Sequence, residues 1–229
     1  MPGLVALVLF AQPLSAQQQP DAAALSAFQR AKAQALLDQK LSCLGCHRLG
    51  HDGGRIGPDL TAVGARLNAQ AIRRKLEDPQ AVTPGGLMPR IPMPASTREL
   101  IVAYLAGQRG AEAPAEPLNP GRASTARTPA QQLYARHCAA CHGSAGNGDG
   151  WNAAYLDRPP ARHADARAMG ARTDDRLFDA IFAGSAIMGG SARMPPFGQT
   201  LSTEEIRLLV AHIRALCRCR QPAWADAPR

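Results

Sequence analysis

Two stretches of the chain set a pair of cysteines three positions apart with a histidine directly after the second: Cys43-Leu44-Gly45-Cys46-His47 and Cys138-Ala139-Ala140-Cys141-His142. On one helical turn this spacing offers two thiols to the two vinyl groups of a single haem, and the adjacent imidazole can turn toward the iron. The same residue types serve zinc sites and redox-active dithiols. Zinc needs a fourth ligand, whereas each motif brings three, so two complete copies in matching surroundings favour haem. A third pair, Cys217-Arg218-Cys219, has neither spacing. A disulfide across one residue strains the backbone, so this pair is expected to meet a partner subunit, a modification or a metal, or to stand as reduced or oxidised tail residues.

The elements that must hold the motifs are repeated too. Leu25, Phe28, Ala31, Leu36 and Leu37 predict a helix before the first motif, and Leu133 with Tyr134 predict one before the second. After each motif come a Gly-rich loop, a Met-Pro and a terminal helix. The first copy has Met88-Pro89, then Ser96-Thr97-Arg98-Glu99 as a capping box for a helix over Leu100 to Leu105. The second has Met194-Pro195, then Ser202-Thr203-Glu204-Glu205 as a capping box for Ile206 to Leu216. Further helices are expected over Asn68 to Asp78, stopped by Pro79, and over Leu177 to Ala183, capped by Thr173 and stopped by Gly184. No stretch alternates as a strand. The chain therefore divides into a signal segment at 1–16, a first domain at 17–110, a Pro/Ala-rich linker at 111–127 and a second domain with a tail at 128–229.

Composition sets the demand that the motifs meet. The 229 residues are 45% hydrophobic but only 4% aromatic, much of the remainder being alanine, so two small domains would have thin cores. A haem in each would bury ring surface at roughly 25 cal/mol per Å². The apolar run Leu4 to Phe10 is far shorter than the ~20 residues that cross a bilayer, which argues against an integral membrane protein. Followed by Gln12 to Ala16, it fits a secretory signal cleaved before Gln17 and so a periplasmic protein. The net charge of +8 is spread over both halves. Arg73-Arg74-Lys75 reads as a solvated helix face or a docking patch for an acidic partner, and without interleaved aromatics it gives no support to nucleic-acid binding. Gly143 to Gly150 lacks the terminal Gly-Lys of a phosphate loop and reads as a loop at a haem edge.

Beyond the signal, the chain resembles a tandem of two class I c-type cytochrome domains. The likeness rests on both motifs, Gly57-Pro58-Asp59-Leu60, Met88-Pro89, Val102-Ala103-Tyr104-Leu105, Met194-Pro195-Pro196-Phe197-Gly198 and Val210-Ala211-His212-Ile213. It implies an all-α protein of two tandem cytochrome c-like helical domains, each wrapped around a covalently attached haem c. It also implies iron ligands His47 and Met88 in the first, His142 and Met194 in the second. Met93 competes with Met88 and Met188 with Met194, their other role being to fill gaps near the haem. In the family a proline carbonyl accepts the proximal His Nδ1–H, which points to Pro58 for His47 and to Pro159 or Pro160 for His142. Of the other histidines, His51 and His163 are expected in exposed polar loops, His137 too near Cys138 to reach the far face of a haem, and His212 on a helix face. The function implied is transfer of single electrons between periplasmic or membrane-bound redox partners, as a free carrier or as the cytochrome subunit of a respiratory or dehydrogenase complex, without catalysis. The alternative is a dihaem enzyme such as a peroxidase or a sulfur-compound dehydrogenase. That needs an iron with an open sixth position and an acid/base group above it, and the sequence offers a Met-Pro in both halves instead.

Overall fold

The computed structural model describes residues 24–111 and 128–226. The expected signal segment, and all but the first residue of the expected linker, lie outside these residues. Within them the chain is mostly helical, with one two-residue antiparallel ladder that no alternating pattern in the sequence announces.

Helix α1 (Ala27–Gln39) opens on a capping box, Ser26 accepting from the Gln29 N–H while the Gln29 side chain accepts from the Ser26 N–H. It buries Ala33 and Leu37 completely and leads into the single turn α2 (Cys43–Cys46). Strands β1 (Arg48–Leu49) and β2 (Asp52–Gly53) then form a small hairpin. After it come α3 (Val63–Arg66), α4 (Ala69–Glu77), α5 (Pro79–Val82) and α6 (Ala95–Ala106). Asn68 caps α4 as expected, and α4 turns Ile72 and Leu76 inward against α6. The expected capping box at Ser96 does not form: α6 starts at Ala95 with Pro94 at its cap and no side-chain cap bond. Its intended partner Glu99 is taken by Arg73 on α4, whose guanidinium reaches both carboxylate oxygens, 2.9 and 3.1 Å from Nε.

The second half repeats the order with α7 (Pro129–His137), α8 (Ala139–His142), α9 (Ala166–Gly170), α10 (Asp174–Ala183) and α11 (Thr203–Cys217). Here the expected box is made, Ser202 and Glu205 exchanging bonds of 3.2 and 2.8 Å. Thr173 caps α10, which ends before Gly184. The terminal helix α11 packs on α7, α9 and α10, as α6 packs on α1, α3 and α4.

Each half has its own apolar cluster, one around Leu37, Ile101 and Leu105, the other around Tyr134, Ile206 and Leu209. The halves also touch. Arg193 pairs with Asp52 at 2.6 Å, the Arg55 guanidinium lies 4.6 Å from the Tyr155 ring centre, and the Arg90 N–H donates to Thr200 at 3.0 Å.

Candidate functional site

In the first half, α1 delivers the chain through Leu41 and Ser42 into the turn that carries Cys43 and Cys46. His47 leaves that turn extended, and the hairpin folds back beneath it, the Gly54 N–H donating to Leu44 O at 2.9 Å. The chain then passes so close to the imidazole that a Cβ on Gly57 would lie 2.4 Å from His47 Cε1 and 2.6 Å from Nδ1. Only glycine fits there. The next residue supplies the carbonyl that holds the ring: His47 Nδ1 is 2.7 Å from Pro58 O. With Nδ1 engaged, Nε2 is the nitrogen left for a metal.

His47 and both thiols line a cavity of about 610 Å³ together with Met88 and Met93. Ile72, Leu76 and Leu105 make its walls apolar. The volume falls in the ~300–1,000 Å³ range of cofactor pockets, and buried Ser42 Oγ, also on the lining, has no hydrogen-bond partner among the described residues. Burial pushes the Cys43 thiol up to about 11 and Cys46 up to about 12. Redox-active dithiols and zinc ligands require the opposite, a stabilised thiolate. Burial likewise lowers the His47 pKa against the opposing Pro58 bond, which keeps the imidazole neutral, its ligating form. Two neutral thiols, a neutral imidazole and two thioethers in one apolar cavity fit a covalently attached haem.

In the second half, α7 runs directly into the motif turn α8. His142 Nδ1 is 2.8 Å from Ala161 O. The ring is therefore held neither by Pro159 nor by Pro160 but by the carbonyl one residue further on, the two prolines serving to direct the loop beneath it. Burial raises Cys138 to about 12 and lowers His142.

His163 departs most from expectation. It is buried, and its ring stacks on His142 with centroids 4.0 Å apart and planes 13° apart. Its Nδ1 is 3.0 Å from the hydroxyl of fully buried Tyr134. Burial, then the positive potential of His142, Arg172 and His212, lowers its pKa to about 2. Tyr134 also takes the His212 ring edge-on at 4.8 Å, so three rings cluster behind His142, of which His163 alone is stacked on it. No local pattern announces it, since the partners come from four separate elements. His137 packs edge-on against Phe197, and His51 is exposed as expected.

Among the methionines, Met88 and Met93 are both half-buried against the first core and Met194 is half-buried against the second. Met188 is half-buried on a short 3-10 turn apart from that core. Met169, which nothing in the sequence singles out, is fully buried in it.

The tail pair corrects another expectation, because Cys217 and Cys219 form a disulfide. Arg218 between them takes left-handed φ 50° and ψ 38°, which ends α11 and turns the chain so that the two sulfurs meet. Among the described residues no group of three or more His, Cys, Asp or Glu is arranged to hold a bare metal ion. None of the described helices is long and apolar enough to cross a membrane.

Residues 125–213 match the family of cytochrome c oxidase, cbb3-type, subunit III, a span that contains the second motif. The curated proteins contain no match. Among solved structures, the KustC0563 c-type cytochrome is 30% identical over 38% of this chain and 95% of its own, with a TM-score of 0.32. The Kuenenia stuttgartiensis reducing HAO-like protein complex Kustc0457/Kustc0458 is 19% identical over 76% of this chain and 79% of its own, also with a TM-score of 0.32.

Proposed function

We propose, from the cytochrome c family match at 125–213, that this chain binds two haem c groups covalently and carries single electrons between redox proteins, without itself catalysing a reaction on a substrate. When bound, haem supplies the one-electron couple of its iron. The protein supplies the rest. Cys43 and Cys46 would anchor the first group and Cys138 and Cys141 the second, with His47 and Met88 as ligands to the first iron and His142 and Met194 to the second. The domains that hold them are 17–110 and 128–229.

The observation that carries this reading is the first cavity, where a neutral imidazole fixed by Pro58 O shares apolar walls with two neutral thiols and two methionines. Fixing Nδ1 sets the orientation of the ring and its basicity at Nε2. The apolar walls exclude water and so restrict the reorganisation that accompanies a change of charge. A methionine ligand together with the histidine would favour electron exchange over binding of small molecules and raise the potential. Half-buried Met88 and Met194 suit that role.

An exported chain of this kind works in the periplasm, with a membrane-bound respiratory complex or a dehydrogenase as partner. The net positive charge, lowered by the propionates of the two haems, suits an acidic docking surface. The test is ligand binding to the haem-loaded protein. An electron carrier is expected to take up neither carbon monoxide when reduced nor cyanide on a short timescale when oxidised. Rapid binding of either at one site would replace this reading with that of a dihaem enzyme.

A further inference from the structure

We propose that Asn152 is a positioning residue that fastens the two attachment loops to one another, so that the two redox sites act as one coupled unit and not as two independent carriers on a linker. The proposal rests on the two-haem reading above. Asn152 is completely buried. Its own N–H donates to Ala140 O inside the second motif, at 2.8 Å. Its side-chain Nδ2 donates to Gly45 O inside the first motif, at 3.0 Å, and lies 3.3 Å from Cys141 Sγ. Its Oδ1 accepts from the Arg55 N–H at 2.7 Å. One residue thus bonds the middle of both Cys-x-x-Cys loops, and every polar group of its side chain is used. A buried amide is tolerated on those terms, and parting the halves would strip it of its partners.

The surroundings are built for close approach. The first loop carries glycine where a Cβ would lie 1.9 Å from Arg193 O. Arg193, almost wholly buried, pairs with Asp52 of the hairpin that comes after His47. Arg193 directly precedes Met194, so the segment that presents the second methionine rests on the first attachment loop. Asn152 Nδ2, bonded to Gly45 O, is also 3.3 Å from Cys141 Sγ, so the two attachment loops meet across the seam. Redox groups attached to loops in such contact shift each other's potentials, and their reductions then give shared, macroscopic values. Adding an electron from a titrant at one site is then felt at the other.

The experiment uses the full, haem-loaded chain as wild type, Asn152→Ala, Asn152→Ser and Asp52→Asn. Haem per chain is counted first. One haem in the wild type would overturn the two-haem reading, whatever the exchange and potential measurements then gave. With two haems present, the Arg55 amide, although in a loop, is expected among the slowly exchanging amides of the wild type, and fast exchange there would by itself overturn the proposal. In Asn152→Ala that amide is expected to exchange at least about tenfold faster, whereas Asp52→Asn, which keeps every Asn152 bond in place and loosens the Arg193 pair beside it, leaves it within about twofold. Asn152→Ser, too short to reach Gly45 O, carries the same expectation if the alanine variant does not load both haems. In potentiometric titration the wild type is expected to show the two sites shifting each other, and the Asn152 variants to show a smaller mutual shift. Unchanged exchange and an unchanged mutual shift in a doubly loaded Asn152 variant would refute the proposal.

Discussion

Replacing Gly57 with alanine tests whether the backbone beneath His47 sets the properties of the first site. An added Cβ would lie 2.4 Å from Cε1, 2.6 Å from Nδ1 and 2.8 Å from Nε2. Ordinary contact begins near ~3.4 Å, so the ring must retreat by about 1 Å. The Nδ1 to Pro58 O distance of 2.7 Å would then pass the ~3.5 Å beyond which a hydrogen bond is lost. Losing it costs about 1 kcal/mol of stability, and up to about 3 if Nδ1 stays buried without a partner. Groups that orient a metal ligand change affinity or activity by ~10–100-fold when removed. For a one-electron couple that range corresponds to roughly 60–120 mV, at ~59 mV per tenfold. The direction is upward, because an imidazole without its acceptor is less basic and stabilises the oxidised iron less. The assay is spectroelectrochemistry of the doubly loaded variant. The second site serves as reference in the same molecule, and its smaller displacement is set by whatever coupling passes between the sites. A first-site potential and oxidised spectrum identical to wild type would refute the reasoning.

Met88→Ala is expected to abolish the weak far-red band of a methionine sulfur on oxidised iron at the first site and to let carbon monoxide bind there, while Met93→Ala retains the band; the reverse result in optical spectra would give the ligand to Met93. Gly45→Ala should still load two haems, since the second motif carries Ala140 at the same place, but the overlap with Arg193 O lowers stability by about 1–3 kcal/mol, read as a lower denaturant midpoint. The Arg73 hydrogen bonds hold the Glu99 carboxyl below its usual range, so the stability the pair contributes is present above the unfolded carboxyl pKa and is lost as pH falls through the lowered, folded one. Glu99→Gln is therefore expected to flatten the stability profile as pH falls through and below the ordinary carboxylate range, measured by denaturant unfolding at each pH, and an unchanged acid slope would count against the pairing.

Features that depend on nearby residues are legible in the sequence. Cap signals such as Asn68, Thr173 and Ser202 act within one turn, and all three do so here. The pairing of His47 with Pro58 spans eleven positions and is accessible through the cytochrome resemblance. Where long-range contacts compete, local signals fail. Ser96 and Glu99 have the spacing of a capping box, but Arg73 lies across the helix pair and offers the Glu99 carboxylate a charged, two-pronged donor that the single backbone N–H of Ser96 cannot match. His163 stands among polar neighbours, yet stacking on His142 and bonding to Tyr134 bury it. Asn152 follows the Gly143 to Gly150 loop with nothing in the sequence to single it out, and it is buried against an attachment loop 107 positions away. The Cys217–Cys219 disulfide depends on a left-handed arginine between them, a conformation that residue type disfavours.

The most direct test is the mass of the intact chain, made with haem-attachment machinery and measured after denaturation, with peptides mapped for the attached cysteines. Two covalent haems per chain are expected, one on Cys43 and Cys46 and one on Cys138 and Cys141. A chain carrying one haem or none, with either cysteine pair free, would contradict the two-haem electron carrier.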